Sequence, residues 1–317
     1  MRILVTGADG FVGAALCPAL AAAGHTVIAA TRRGEHTEQG WERRALGDLG
    51  SGPIPASLFD AIDTVIHLAA RVHVMRDRST NPLAEFRRVN VEGTRRLVYA
   101  AAEAGVRRFA LLSSIKVNGE VSPGRPFTES DPPHPGDAYG LSKFEAEAVL
   151  TAAAAKTGIA TVVIRAPLIY GPGVRANFRA LLRLCDTALP LPFGAVRNRR
   201  SLIYRGNLVD ALMRAATAPQ AAGKTYLVRD PEDLSTPELI ARLRRALGRP
   251  ARLIPCPTGL LRAAALLAGR AAAADRLIGT LTLDDSRIRH DLAWQPPHGT
   301  DAGLAATVAW YRAQRAA

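Results

Sequence analysis

The sequence has little of what staples a chain or grips nucleic acid. Its three cysteines, Cys17, Cys185 and Cys256, stand far apart, with no CxxC and no paired spacing. That excludes a disulfide framework and a cysteine-based zinc site, and it fits a reduced, cytoplasmic protein. Aromatic residues are only 5% of the chain and are not interleaved with basic runs. The net charge of +13, carried mostly by arginine, therefore does not form a nucleic-acid footprint. An anionic small molecule suits such scattered charge best, with attraction to acidic membrane surfaces second. Arg197-Asn-Arg-Arg200 is the densest cluster. No uninterrupted apolar run reaches the roughly eighteen residues of a membrane span. The nearest, Gly259 to Ala274, is broken by Arg262 and Arg270 and reads as an alanine-rich core helix. Glycines and Asp9 interrupt the opening apolar stretch, so a signal peptide is not expected.

That opening stretch is the most informative part of the chain. Ile3, Leu4 and Val5 form a short apolar run that reads as a doubly buried strand. Gly7, Gly10 and Gly13 follow, a helical pattern starts near Val12, and Gly24 stops it before a second strand over His25 to Ala29. Strand, glycine turn, helix and strand make one βαβ unit. The glycines allow a tight turn and a close approach of backbone to a pyrophosphate, which the helix N-terminus then attracts. The spacing departs from Gly-x-Gly-x-x-Gly, but its place after the first strand predicts dinucleotide binding.

The end of the second strand bears on which dinucleotide. An NAD site usually puts a carboxylate there to accept from the ribose 2′-hydroxyl. Here Thr31 is followed by Arg32 and Arg33. Guanidinium groups would pair with a 2′-phosphate, which favours NADP(H), with NAD(H) the alternative. Asp48, followed by Leu49, stands where a third strand should end, as an adenine contact or as a turn residue. A fourth strand over Asp63 to Ala70 ends in small residues, as ligand-binding strand ends do, and His67 reads as packing. Leu83 to Ala104 is predicted as one long helix in which Asn90 would be solvated, and Arg107 to Ser114 as a fifth strand. A loop of about twenty residues without a period follows, of the functional kind. It leads into a helix carrying Tyr139 and Lys143, four apart and so on one face. An ammonium beside a phenol stabilises phenolate and draws the group toward physiological pH.

Together these segments resemble the extended short-chain dehydrogenase/reductase superfamily, in its nucleotide-sugar epimerase/reductase branch. The resemblance rests on Thr6-Gly-Ala-Asp-Gly-Phe-Val-Gly13, His67-Leu-Ala-Ala70, Ser113-Ser114 with Val117-Asn-Gly119, Tyr139 with Lys143, Ile164 to Gly173, and Arg200 to Asp210. It implies an α/β Rossmann fold, a doubly wound parallel sheet with a smaller, discontinuous α/β substrate domain. The cofactor domain would take 1–165 and about 201–230, and the substrate domain 166–200 and about 231–317. Thr236 is expected to cap a helix begun by Pro237.

The resemblance also implies site roles. Tyr139 would be the acid/base, Lys143 would hold the nicotinamide ribose, and Ser114, with Ser113 as a substitute, would bond the reacting sugar oxygen. Cofactor contacts would come from Gly7, Asp9, Gly10, Phe11, Val12, Gly13, Thr31, Arg32, Arg33, Asp48, Leu49, Leu68, Ala69, Ala70, Asn90, Tyr139, Lys143 and Pro167. Asn177 and Arg200 would meet the substrate diphosphate, and two copies would pair through the Leu83 and Tyr139 helices. The dehydratases of the branch carry an Asp-Glu pair after the catalytic hydroxyl, whereas Ile115 and Lys116 stand here. The main expectation is NADPH-dependent reduction of a UDP-4-keto-6-deoxy-hexose or hexosamine for surface polysaccharide. Leu111 to Glu120 and Arg199 to Ile203 resemble the bacterial reductases that form UDP-N-acetylquinovosamine. The alternatives are a UDP-sugar 4-epimerase of the UDP-glucose or UDP-N-acetylglucosamine type holding NAD tightly, and a non-catalytic NADP-sensing protein.

Overall fold

A computed structural model describes residues 1–33, 41–72, 81–269 and 271–316. The strands, most of them short apolar runs, are β1 (Arg2–Thr6), β2 (Thr26–Thr31), β3 (Glu42–Ala45), β4 (Thr64–His67), β5 (Arg108–Ser114), β6 (Ala160–Ala166), β7 (Leu168–Tyr170), β8 (Leu202–Tyr204) and β9 (Lys224–Leu227). The helices between and after them are α1 (Gly13–Ala22), α2 (Pro82–Phe86), α3 (Gly93–Glu103), α4 (Ala138–Thr157), α5 (Ala176–Cys185), α6 (Arg205–Thr217), α7 (Thr236–Ala246), α8 (Thr258–Leu267), α9 (Ala271–Ile278), α10 (Ser286–Leu292) and α11 (Thr300–Ala316).

Seven strands form one sheet in the order β3-β2-β1-β4-β5-β6-β9, every neighbouring pair parallel. Alternation along β1 decides what packs where. Ile3 and Val5 meet Leu16 and Leu20 of α1 and Leu208 and Leu212 of α6. Leu4 faces the other way, into the cluster of Leu97 and Val98 of α3 and Ala146 and Leu150 of α4. Both faces are thus covered, as a parallel sheet requires. The chain runs outward from β1 through β2 to β3, then returns to β4 on the opposite side. Strand order therefore reverses between β1 and β4, and the crevice above their carboxyl ends is where such sheets bind ligands. The paired strands β7 and β8 lie beside a third cluster, in which Tyr170 and Phe178 pack with Leu239, Ile240 and Leu243 of α7 and with Leu304 of α11.

Four local expectations are corrected. The helix predicted from Leu83 to Ala104 is split by a π-helical turn at Arg87–Glu92. Asn90 lies in that turn and is buried, not solvated; such wide turns recur where a side chain is redirected toward a site. The cap of α7 is Ser235, one residue before Thr236, and it forms a reciprocal capping box with Glu238. The apolar stretch at Gly259 to Ala274 is not a core helix, because no side chain of α8 is buried. No helix of the described residues is long and apolar enough to cross a membrane.

Candidate active site

The glycine turn joins β1 to α1 at the reversal point. Gly7 has φ +69°, and a Cβ there would lie 2.8 Å from the Ala69 backbone nitrogen, so the turn and the end of β4 touch backbone to backbone. At Gly13 a Cβ would collide with the Gly7 carbonyl oxygen. The helix start is held that close to the strand end. This cradle fits the diphosphate of a dinucleotide. Val12 is buried, Phe11 is half-buried, and Asp9 is exposed.

Behind the turn runs a chain of neutral hydrogen bonds. The Thr94 hydroxyl donates to the Asn90 carbonyl (2.6 Å), so it accepts from His67 Nε2–H (3.0 Å). His67 Nδ1 then accepts from the Thr6 hydroxyl (2.6 Å), which accepts from the Ala69 N–H (3.2 Å). Burial, helped by the Lys143 charge, pushes the His67 imidazole down to about 3, which keeps it neutral for this role. Asn90 continues the brace: its side chain binds the backbone N–H and C=O of Arg71 and donates to Ser142 of α4 (2.9 Å). Small Ala69 and Ala70, with Leu68, are half-buried at the β4 end.

The pleat of β5 separates its two terminal serines. Ser113 is buried and donates to Glu147 of α4. Glu147 also pairs with buried Arg165 of β6 at 2.6 Å, and Arg165 reaches Asn118 Oδ1 at 2.9 Å. Ser113 is therefore withdrawn as a substrate contact, since successive strand residues face opposite sides. Ser114, on the opposite face, accepts from the Lys116 N–H at 3.2 Å and lies close enough to Tyr139 to act on its phenol.

Asp137 caps α4 by accepting from the Gly140 N–H at 2.7 Å. Tyr139 and Lys143 follow on one helical face. Lys143 is 4% exposed, and its Nζ donates to the Leu112 carbonyl at 2.9 Å. Burial draws this ammonium down to about 8, with Glu147 pulling the other way. Burial drives the Tyr139 phenol up to about 12, Asp137 adds to the rise, and the nearby Ser114 hydroxyl opposes it. The sequence argument expected Lys143 to bring the phenol down. Desolvation wins, and the phenol holds its proton.

At the β2 end Thr31 is half-buried, with Arg32 and Arg33 exposed beyond it. A third arginine, Arg43 of β3, pairs with Asp9 at 3.0 Å. Sequence reasoning missed Arg43 because only the β2–β3 register brings it beside the glycine turn. Asp48 behaves as the turn residue, accepting from the Gly50 N–H (3.0 Å) and the Ser51 hydroxyl (2.9 Å). Leu49 is core, lying against Gly93, and Pro167 is buried just beyond β6.

The outer side of the site is cationic. Arg200 donates to the Gly279 carbonyl at 3.0 Å, and burial with the nearby Arg276 charge draws it down to about 10. Lys116, one more residue that the sequence did not single out for a role, pairs with Asp137 and with Glu120 (2.6 Å). Asn177 is exposed in the first turn of α5.

The chain is similar to known proteins along nearly its whole length. The chain is 39% identical over 308 residues to a UDP-glucose 4-epimerase of Vibrio cholerae, covering 96% of this chain and 94% of the relative. It is 30% identical over 264 residues to the N-acetyl-alpha-D-glucosaminyl-diphospho-ditrans,octacis-undecaprenol 4-epimerase of Escherichia coli O157:H7, covering 82% and 77% of the two chains. Among solved structures, MoeE5 in complex with UDP-glucose and NAD matches with a TM-score of 0.79 at 28% identity, covering 99% of this chain and 100% of that one. Residues 3–228 match the model of one family throughout, and by that match and these relatives the chain belongs to the NAD dependent epimerase/dehydratase family.

Proposed function

We propose that this chain moves hydride at C4 of a UDP-sugar and that the net reaction is 4-epimerisation with NAD. The carrying observation is the Tyr139 phenol beside the Ser114 hydroxyl at the carboxyl edge of the sheet, with Lys143 one helical turn on. The Vibrio cholerae relative is named for this reaction, and MoeE5 holds UDP-glucose with NAD. Dehydration is disfavoured because the place of an acidic base holds Lys116, an ammonium bound to two carboxylates.

A nicotinamide dinucleotide, when bound, supplies the hydride acceptor and donor. The turn at Gly7, Gly10 and Gly13 and the first N–H groups of α1 would hold its diphosphate, and Lys143 its nicotinamide ribose. Tyr139 exchanges a proton with the C4 oxygen, and Ser114 bonds the same oxygen. A phenol that keeps its proton is a ready donor. Acceptance needs positive charge beside the phenolate, and Lys143 is placed to give it. Arg200 and Asn177 hold the substrate diphosphate, Arg200 through charge-assisted bonds. Residues 166–200 and 231–317 form the substrate side.

A second reading, NADPH-dependent reduction of a 4-keto sugar, is favoured by one observation, the absence of a carboxylate at Thr31 with Arg32 and Arg33 beyond it. One experiment separates the two. Purified protein is given UDP-glucose or UDP-N-acetylglucosamine, and in parallel NADPH with a UDP-4-keto-6-deoxy sugar. Interconversion of C4 epimers without net cofactor consumption supports epimerisation. Stoichiometric NADPH oxidation with no interconversion supports reduction, and neither outcome would reject both.

A further inference from the structure

Helix α8 reads Thr258-Gly-Leu-Leu-Arg-Ala-Ala-Ala-Leu-Leu267, and no side chain in it is buried. Thr258, Leu261 and Ala265, at spacings of three and four, are half-covered and mark the side turned to the protein. The opposite side carries Leu260, Ala263, Ala264 and Leu267 in one stripe, with Leu266 next to it. Leu260 is 62% exposed, Leu266 68% and Leu267 91%. Ile254, four residues ahead of the helix, is 50% exposed. A surface helix normally turns polar residues to water, yet Arg262 is the one charged residue in α8. A contiguous apolar face of this kind marks a docking surface.

Its surroundings are basic. Arg197, Arg199, Arg252 and Arg262 are exposed and Arg276 partly so. They are brought together by the Leu191–Leu253 bridge, the Gly194 N–H to Ile254 carbonyl bond, and Asn198 bonds to the carbonyls of Leu277 and Gly279. The acidic residue of the α8–α9 hairpin, Asp275, is paired with Arg262 at 3.4 Å. An apolar helical face framed by arginine is complementary to an anionic lipid surface. A second copy would present the same cationic frame to this one across a two-fold contact, and like charges would oppose the pairing.

We propose that α8 is a membrane-docking helix, which lays its Leu260–Leu267 face into the headgroup boundary of an anionic bilayer while the surrounding arginines meet lipid phosphates. The hairpin ends at Gly279, whose carbonyl holds Arg200. Docking therefore brings the substrate side of the site next to the lipid surface. The proposal stands on the exposed face and its charge, independently of the reaction.

The test is flotation of the whole protein with vesicles of phosphatidylcholine alone or mixed with phosphatidylglycerol, at low and high salt. The protein should float with the mixed vesicles, best at low salt. The bound fraction should fall about tenfold or more in L260S/L266S/L267S and fall also in R252Q/R262Q. A milder variant, Leu267→Trp, should show blue-shifted tryptophan emission when mixed vesicles are added. Absence of flotation with either vesicle, flotation unchanged in the triple variant, or unshifted emission overturns the proposal. So does a lipid-free dimer that the triple variant dissolves, which would make a second copy the occupant.

Discussion

At the floor of the site each polar group is answered by a neighbour. Thr6, His67, Thr94 and Asn90 close a neutral chain behind the glycine turn, and Lys143 rests on the Leu112 carbonyl. At the rim the balance is reversed, with Arg200 near a second arginine, Arg276, and further arginines exposed around it. The two regions divide the work. A buried, hydrogen-bonded floor keeps His67 neutral and holds Lys143 in place. In the proposed reaction the cationic rim would attract an anionic substrate.

The largest way to break that division lies at the end of β5. Ser114→Ala should cut turnover by about 10²–10³ by removing one bond to the reacting oxygen. Ser113→Ala, one residue away on the other face, should leave turnover within about threefold, since the bond it loses, to the buried Glu147 carboxylate, costs about 1.5–3 kcal/mol of stability and lies away from the reacting oxygen. Steady-state rates of the two variants make the comparison. Glu147→Ala attacks the scaffold instead: it leaves Arg165 buried without its partner and should cost about 3–5 kcal/mol in denaturant unfolding. At the rim, Arg200→Gln should weaken UDP-sugar binding by about 10–100-fold, with kcat within about threefold, as expected for a lost charge-assisted contact of about 1.5–3 kcal/mol. Titration calorimetry and a split of KM from kcat would read it.

The smallest effects are in pH. His67 is neutral when folded down to about 3, whereas the unfolded imidazole takes a proton below 6.5. The unfolded state then binds more protons, so stability is lost as pH falls through that window. His67→Gln should flatten this acid slope in melting temperature. Lys143 acts on the alkaline side. Its folded value of about 8 lies below the 10.5 of the free group. Stability should therefore rise from about pH 8 to about 10.5, and Lys143→Met should remove that rise.

Features encoded within a few residues were legible in the sequence. The glycine spacing after a short aliphatic run placed the turn, and a four-residue interval placed Tyr139 and Lys143 on one face. Features that need two distant segments were not. Thr6, His67 and Thr94 lie on three separate elements, and Arg43 reaches Asp9 only through strand register. The choice between Ser113 and Ser114 follows from the strand's period of two, once the fold shows which face Glu147 occupies. Helix α8 misled because an apolar composition is the same whether a helix faces the core or the outside. Asn90 misled because a regular helix would have turned it outward, and the π turn did not.

The most direct test of the account is a rapid-mixing measurement of hydride transfer, with protein carrying NAD mixed against UDP-glucose and absorbance followed at the reduced-nicotinamide band. Wild-type protein should give a fast transient, and Tyr139→Phe should bind the sugar nucleotide with little change while slowing the transient by about 10²–10⁴. A Tyr139→Phe transient at the wild-type rate would contradict the claim that the Tyr139 phenol carries the proton.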